Sequence, residues 1–162
     1  MSKAVLLSIK PKYCGLIVSG NKTIEVRKSR PKLATPFKVY IYETKGYDTL
    51  FGKDKPKKLC VSGGRVIGEF VCDVIYELHD WHLDPRGVYQ EIEEENLKKL
   101  LKMSQLTYDE LCLYRNGMPY CKPIYAWHIS DLVIYDKPKE LSEFFKIGHC
   151  KHCAEAREIR KD

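Results

Sequence analysis

The chain predicts an α+β fold, a small mixed β-barrel with helices in its connections. Three features carry this: five short β-favouring stretches, two of them alternating polar and apolar, mark strands, helical apolar spacing falls between them, and no regular βαβ alternation exists. That last feature argues against a doubly wound sheet. With 162 residues there is room for one domain of ordinary size, and a 44% hydrophobic share supplies its core, which excludes disordered and collagen-like classes.

Residues 4–9 (Ala-Val-Leu-Leu-Ser-Ile) favour a strand that ends at Lys10-Pro11, where a proline suits the first turn of a helix. The helix runs through Tyr13, Leu16, Ile17 and Val18, and Ser19-Gly20-Asn21 stops it. Residues 22–27 and 37–43 alternate with period two, the signature of half-buried strands, with Pro31 between them. Residues 44–60, with Gly, Asp, Pro and five lysines, read as a mobile basic loop. Residues 65–76 predict a long central strand, buried on both faces or bulged near Gly68.

An amphipathic helix is expected over 88–103, with acids in its first half and lysines in its last turns, matching the helix dipole. A short helix follows at 107–114, where Thr107 and Glu110 have capping-box spacing. Residues 125–135 give the last strand, and Pro138 is expected to start a short helix through Leu141 and Phe144.

The charge is unevenly spread. Residues 1–60 hold 12 Lys and 2 Arg against 4 acids, a net +10, whereas the remainder is net −4. Such a basic first third suits an anionic partner at one face. Seven cysteines, an odd number set mostly in apolar sequence, are poor material for a disulfide framework, so a reduced compartment is expected and Cys14, Cys72 and Cys112 read as small core residues. No apolar run approaches the roughly 18 residues of a membrane span, and the start lacks an export signal. The expected location is the cytoplasm, away from membranes.

The most informative segment is a strand, a helix, a glycine turn and a second strand, which gather Lys10, Lys12, Lys22, Glu25, Arg27 and Lys28 around two strand ends. Gly20, Lys22, Thr23, Glu25 and Arg27 stand in a Gly-x-Lys-Thr-x-Glu-x-Arg pattern that resembles the signature of the ASCH domain, a PUA-like β-barrel family. Residues 64–75 and 125–141 resemble that family's later strands and closing helix. The resemblance implies an ASCH domain over residues 1–147, followed by a tail at 148–162. It also implies a cleft for RNA, a nucleotide or a modified nucleobase.

In such a cleft Lys10, Lys12, Lys22 and Arg27 would donate to phosphate and Glu25 would accept from a base amino group. Trp127, Tyr42 or Tyr125 would offer a stacking face. Alternatively, Trp127 is a core aromatic and the charged residues are a surface pair. An enzymatic alternative is implied too: some ASCH proteins are amidohydrolases of acetylated cytidine, and ribonuclease activity is associated with the fold. Lys22 matches the amidohydrolase lysine, but Glu25 stands where that chemistry needs a hydroxyl, and alternation turns Thr23 away from Lys22. Proton transfer would then fall to Lys22 with Glu25 or, more weakly, His128.

In the tail, Cys150 and Cys153 have Cys-x-x-Cys spacing, which suits two zinc thiolates, but a structural zinc needs four ligands and no second such pair exists. Incidental thiols are the expectation, with zinc the alternative and no other cofactor. The oligomeric state is left open.

Overall fold

A computed structural model describes residues 3–50, 57–78, 94–116, 118, 122–144 and 157–160. The elements run β1 (Lys3–Ile9), α1 (Pro11–Val18), β2 (Ile24–Arg27), β3 (Phe37–Glu43), β4 (Gly46–Leu50), β5 (Lys57–Ser62), β6 (Arg65–Cys72) and β7 (Ile75–Leu78). Then come α2 (Glu94–Ser104), α3 (Tyr108–Arg115), β8 (Ile124–His128), β9 (Ser130–Lys139), a 3-10 turn (Leu141–Glu143) and β10 (Arg157–Arg160).

Two sheets face each other. One has five strands in the order β10-β1-β3-β6-β9, the other three in the order β2-β8-β7, and β4 with β5 forms a separate hairpin. They do not close into the expected barrel: β2 is an edge strand, and the mixed character comes from β1, parallel to β3 and antiparallel to β10. The main core lies between the sheets. Val5, Leu7 and Ile9 from β1, Val39 and Ile41 from β3, Phe70 and Cys72 from β6 and Trp127 from β8 fill it, with Cys14 and Ile17 of α1. The opposite face of the five-stranded sheet buries Leu6, Tyr40 and Val66 beneath Leu141 and Phe144. On the outside of the smaller sheet, Ile24, Val26, Ile124 and Ala126 meet Leu100 of α2 and Leu111 of α3.

Local chemistry explains most boundaries. Pro11 opens α1, and Gly20, at φ +74°, supplies the left-handed turn after it. Thr107 and Glu110 form the complete expected capping box at the start of α3. A bulge does fall at Gly68: the β3–β6 and β6–β9 registers both skip Ile67. It explains why Val66 and Phe70, of equal parity, enter different cores. It also needs a glycine, because a Cβ at 68 would collide with the Val133 carbonyl.

Five expectations are corrected. The single strand over 65–76 bends at Asp73-Val74 into β6 and β7, and that over 125–135 breaks at Ile129 into β8 and β9, so one pair of chain segments serves both sheets. The basic loop at 44–60 contributes hairpin β4–β5, with 51–56 outside the described residues. Pro138 starts no helix: it lies within β9, and only the 3-10 turn follows. Cys112 is exposed on α3, whereas Cys14 and Cys72 are buried as expected. Residues 88–93, the expected start of α2, lie outside the described residues, as do Cys150 and Cys153, while Arg157–Arg160 of the tail pair with β1. Among the described residues no helix is long and apolar enough to cross a membrane.

Candidate nucleic-acid interface

The edge of β2 runs past the end of β1 without a backbone ladder between them. Arg27 Nη2 donates to the Ser8 carbonyl at 2.6 Å across this gap. Along this seam lies a cleft of about 730 Å³, lined by Ser8, Ile9 and Lys10 at the end of β1, Glu25, Val26 and Arg27 of β2, Tyr13 of α1 and Glu110, Leu113 and Tyr114 of α3, among others.

Its wall holds buried charge. Lys22 is 2% exposed and Glu25 6%. The backbone fixes Lys22: its N–H donates to Leu16, the Thr23 N–H donates to Met103, and the Thr23 carbonyl accepts from Ile129. Held there, Lys22 Nζ donates 2.6 Å to the Ser104 carbonyl at the end of α2, where a cation suits the helix dipole, and lies 3.3 Å from Glu25 Oε2. Burial pushes the Lys22 pKa below its ordinary value, with the Glu25 carboxylate opposing that shift. Glu25 Oε1 stands 3.7 Å from Arg27 Nε, and that buried Nε makes no hydrogen bond among the described residues. The three side chains therefore form a cation–anion–cation row with one donor unused.

Beside the cleft, Lys12 Nζ binds Glu110 Oε1 at 2.9 Å. The Thr107 backbone N–H and then Lys12 hold the Glu110 carboxyl below its ordinary pKa, and hydrogen bonding to Glu110 raises that of Lys12. Tyr13 carries the ammoniums of Lys12 and Lys22 each 5.3 Å from its ring centre, and burial raises its phenol pKa, with Glu110 adding to the shift. Lys28 lies 5.1 Å from the Tyr114 ring.

Of the residues expected at the site, Lys10, Lys22, Glu25 and Arg27 line the cleft and Lys12 adjoins it through Glu110. Trp127 is corrected: it is fully buried in the core, edge-on to Phe37 at 5.6 Å, and offers no face to a ligand. It is the register partner of Glu25, so both point between the sheets, but Trp127 stands one strand further from the seam. Tyr42 and Tyr125 also pack against the cores. The aromatic faces at the cleft are those of Tyr13 and Tyr114. His128 is not among the cleft-lining residues; it pairs with Asp73 at 2.7 Å where β6 bends into β7. Glu110, Tyr13, Tyr114 and the Ser104 carbonyl were not expected. The capping box was the only sequence signal that singled out one of them, Glu110. Among the described residues no group of three His, Cys, Asp or Glu could hold a metal ion.

Comparison with known proteins agrees with this architecture. The crystal structure of an ASCH protein from Zymomonas mobilis is similar at a TM-score of 0.62 and 19% identity, over 98% of this chain and 88% of that one. A single-substitution variant of that protein matches at 0.61 and 18%, covering 98% and 91%. At these identities the likeness concerns the fold alone. No curated protein matches the sequence. The family model of the ASCH domain matches residues 7–161, and the chain therefore belongs to the ASCH domain family, whose fold is PUA-like.

Proposed function

We propose that this chain binds RNA or a nucleotide, taking an anionic or modified-nucleobase ligand into the seam cleft. Membership of a PUA-like, generally RNA-binding family supports the coarse reading. The observation that carries the finer one is the row Lys22–Glu25–Arg27 on the cleft wall, where the buried Arg27 Nε makes no hydrogen bond among the described residues. A buried donor without a partner costs about 1–3 kcal/mol, which a ligand acceptor would recover. Lys10 and Lys12 then serve phosphate, Glu25 accepts from a base amino group, and Tyr13 or Tyr114 supplies stacking worth about 1–3 kcal/mol per base.

The test is binding of a short single-stranded RNA between about 50 and 200 mM salt. Affinity should fall with salt, and Arg27→Ala should weaken it roughly tenfold, the equivalent of about 1.4 kcal/mol. Affinity indifferent to salt, or unchanged in Arg27→Ala, would contradict the reading.

One observation favours an enzyme as the second reading: a buried lysine of lowered pKa touches a carboxylate beside the cleft. Lys22 with Glu25 would transfer protons in hydrolysis of a modified nucleoside such as acetylated cytidine, or of RNA. Turnover of either that disappears in Lys22→Ala would establish it, whereas binding without turnover would leave a binding module.

A further inference from the structure

The Lys12–Glu110 pair differs from the buried row in being exposed, and its carboxylate also completes a helix cap. Glu110 Oε2 accepts from the Thr107 N–H at 2.9 Å, completing the cap of α3, while Oε1 takes Lys12 at 2.9 Å. The cap fixes the carboxylate, and the carboxylate in turn holds the longer lysine side chain. Lys12 is 65% exposed and Glu110 35%, so the pair is open to solvent and exchange. Lys12 is on α1 and Glu110 on α3, so the bridge ties together two elements that line the cleft. An incoming phosphate meets a lysine whose charge is already matched.

We propose that Glu110 is a specificity-determining residue of the seam cleft, holding Lys12 in an ion pair that a ligand phosphate must displace. This rests on the RNA- or nucleotide-binding reading above and adds a competing anion to it. Exchange costs little for a ligand that also satisfies Arg27 and the tyrosines, because those contacts are made at the same time. A polyanion that reaches only the surface has the exchange to make and nothing further to gain. The carboxylate thus favours ligands that enter over ligands that only touch.

The experiment uses the full chain and a seven-nucleotide oligouridylate as probe. Glu110→Gln is the informative variant, since glutamine also serves at this capping-box position and only the charge is lost. It should bind RNA about two- to fivefold more tightly, the range of exposed ion pairs. Its salt dependence should steepen by up to about 0.7 in log–log slope as one more cation becomes available to phosphate. In a Lys12→Ala background the same substitution should change affinity much less. Unaltered thermal melting of Glu110→Gln would show the cap intact. RNA affinity equal to or weaker than that of the parent, or a gain of the same size without Lys12, overturns the proposal while leaving the binding reading in place. If no form of the chain binds the oligonucleotide, that reading falls and this proposal with it.

Discussion

The two sheets meet in two places that contain similar residues and end differently. At the corner where β6 bends into β7, the His128 N–H donates to the Val74 carbonyl, Ser130 Oγ donates to that of Val71, and the His128–Asp73 pair spans the bend. Backbone groups are consumed there, and the histidine–carboxylate pair is an outside brace. At the seam β1 and β2 share no ladder among the described residues, Arg27 donates to the Ser8 carbonyl, and a cleft lies beside the buried row. Of these two ion-paired places, the seam is the one that combines buried charge with a cleft and a buried donor that makes no hydrogen bond among the described residues.

Trp127, between the two places, gives the largest expected effect. Trp127→Ala should cost about 3–5 kcal/mol in urea unfolding, as loss of a large core side chain does. Trp127→Phe should leave RNA affinity unchanged; weakened binding in a folded Trp127→Phe protein would return this ring to the ligand. Next is Glu25→Ala, which strands the buried Lys22 charge and should cost about 3 kcal/mol or more. Lys22→Met, which removes the charge as well, should cost less. A Glu25→Ala cost below 1 kcal/mol would erase the distinction between seam and corner.

The smallest effect belongs to the corner. His128 holds the Asp73 carboxyl below its ordinary 3.8, so the pair stabilises the fold above that pH and the contribution is lost as pH falls through the lowered value. Because the pair is partly exposed, Asp73→Asn should cost less than about 1 kcal/mol at neutral pH. The difference between parent and variant should vanish in strong acid; a difference that persists there would assign the effect to something other than this carboxylate.

Much of this was legible in the sequence. Alternation located β2 and β3, Pro11 and Gly20 bounded α1, and Thr107 with Glu110 announced α3. The breaks at Asp73-Val74 and Ile129 were not, because β-favouring residues stand on both sides of each break. The hairpin β4–β5 was hidden by lysines and turn formers that said loop. At the site, Lys22, Glu25 and Arg27 lie within six residues and could be read together. The partners of Lys22 and Lys12, Ser104 and Glu110, are 82 and 98 residues away, and no local pattern joins them. Trp127 shows the limit of alternation, which assigns a residue to a face without saying whether packing or ligand covers it.

The bent pair of segments constrains how the molecule assembles. Because the same two stretches of chain make β6–β9 in one sheet and β7–β8 in the other, neither sheet is complete until residues such as Val71 and Ser130, 59 apart, have met. Closing that long loop is an entropic hurdle shared by both layers. The two sheets are therefore expected to form and melt together, so amide hydrogens in both should exchange through one common global opening.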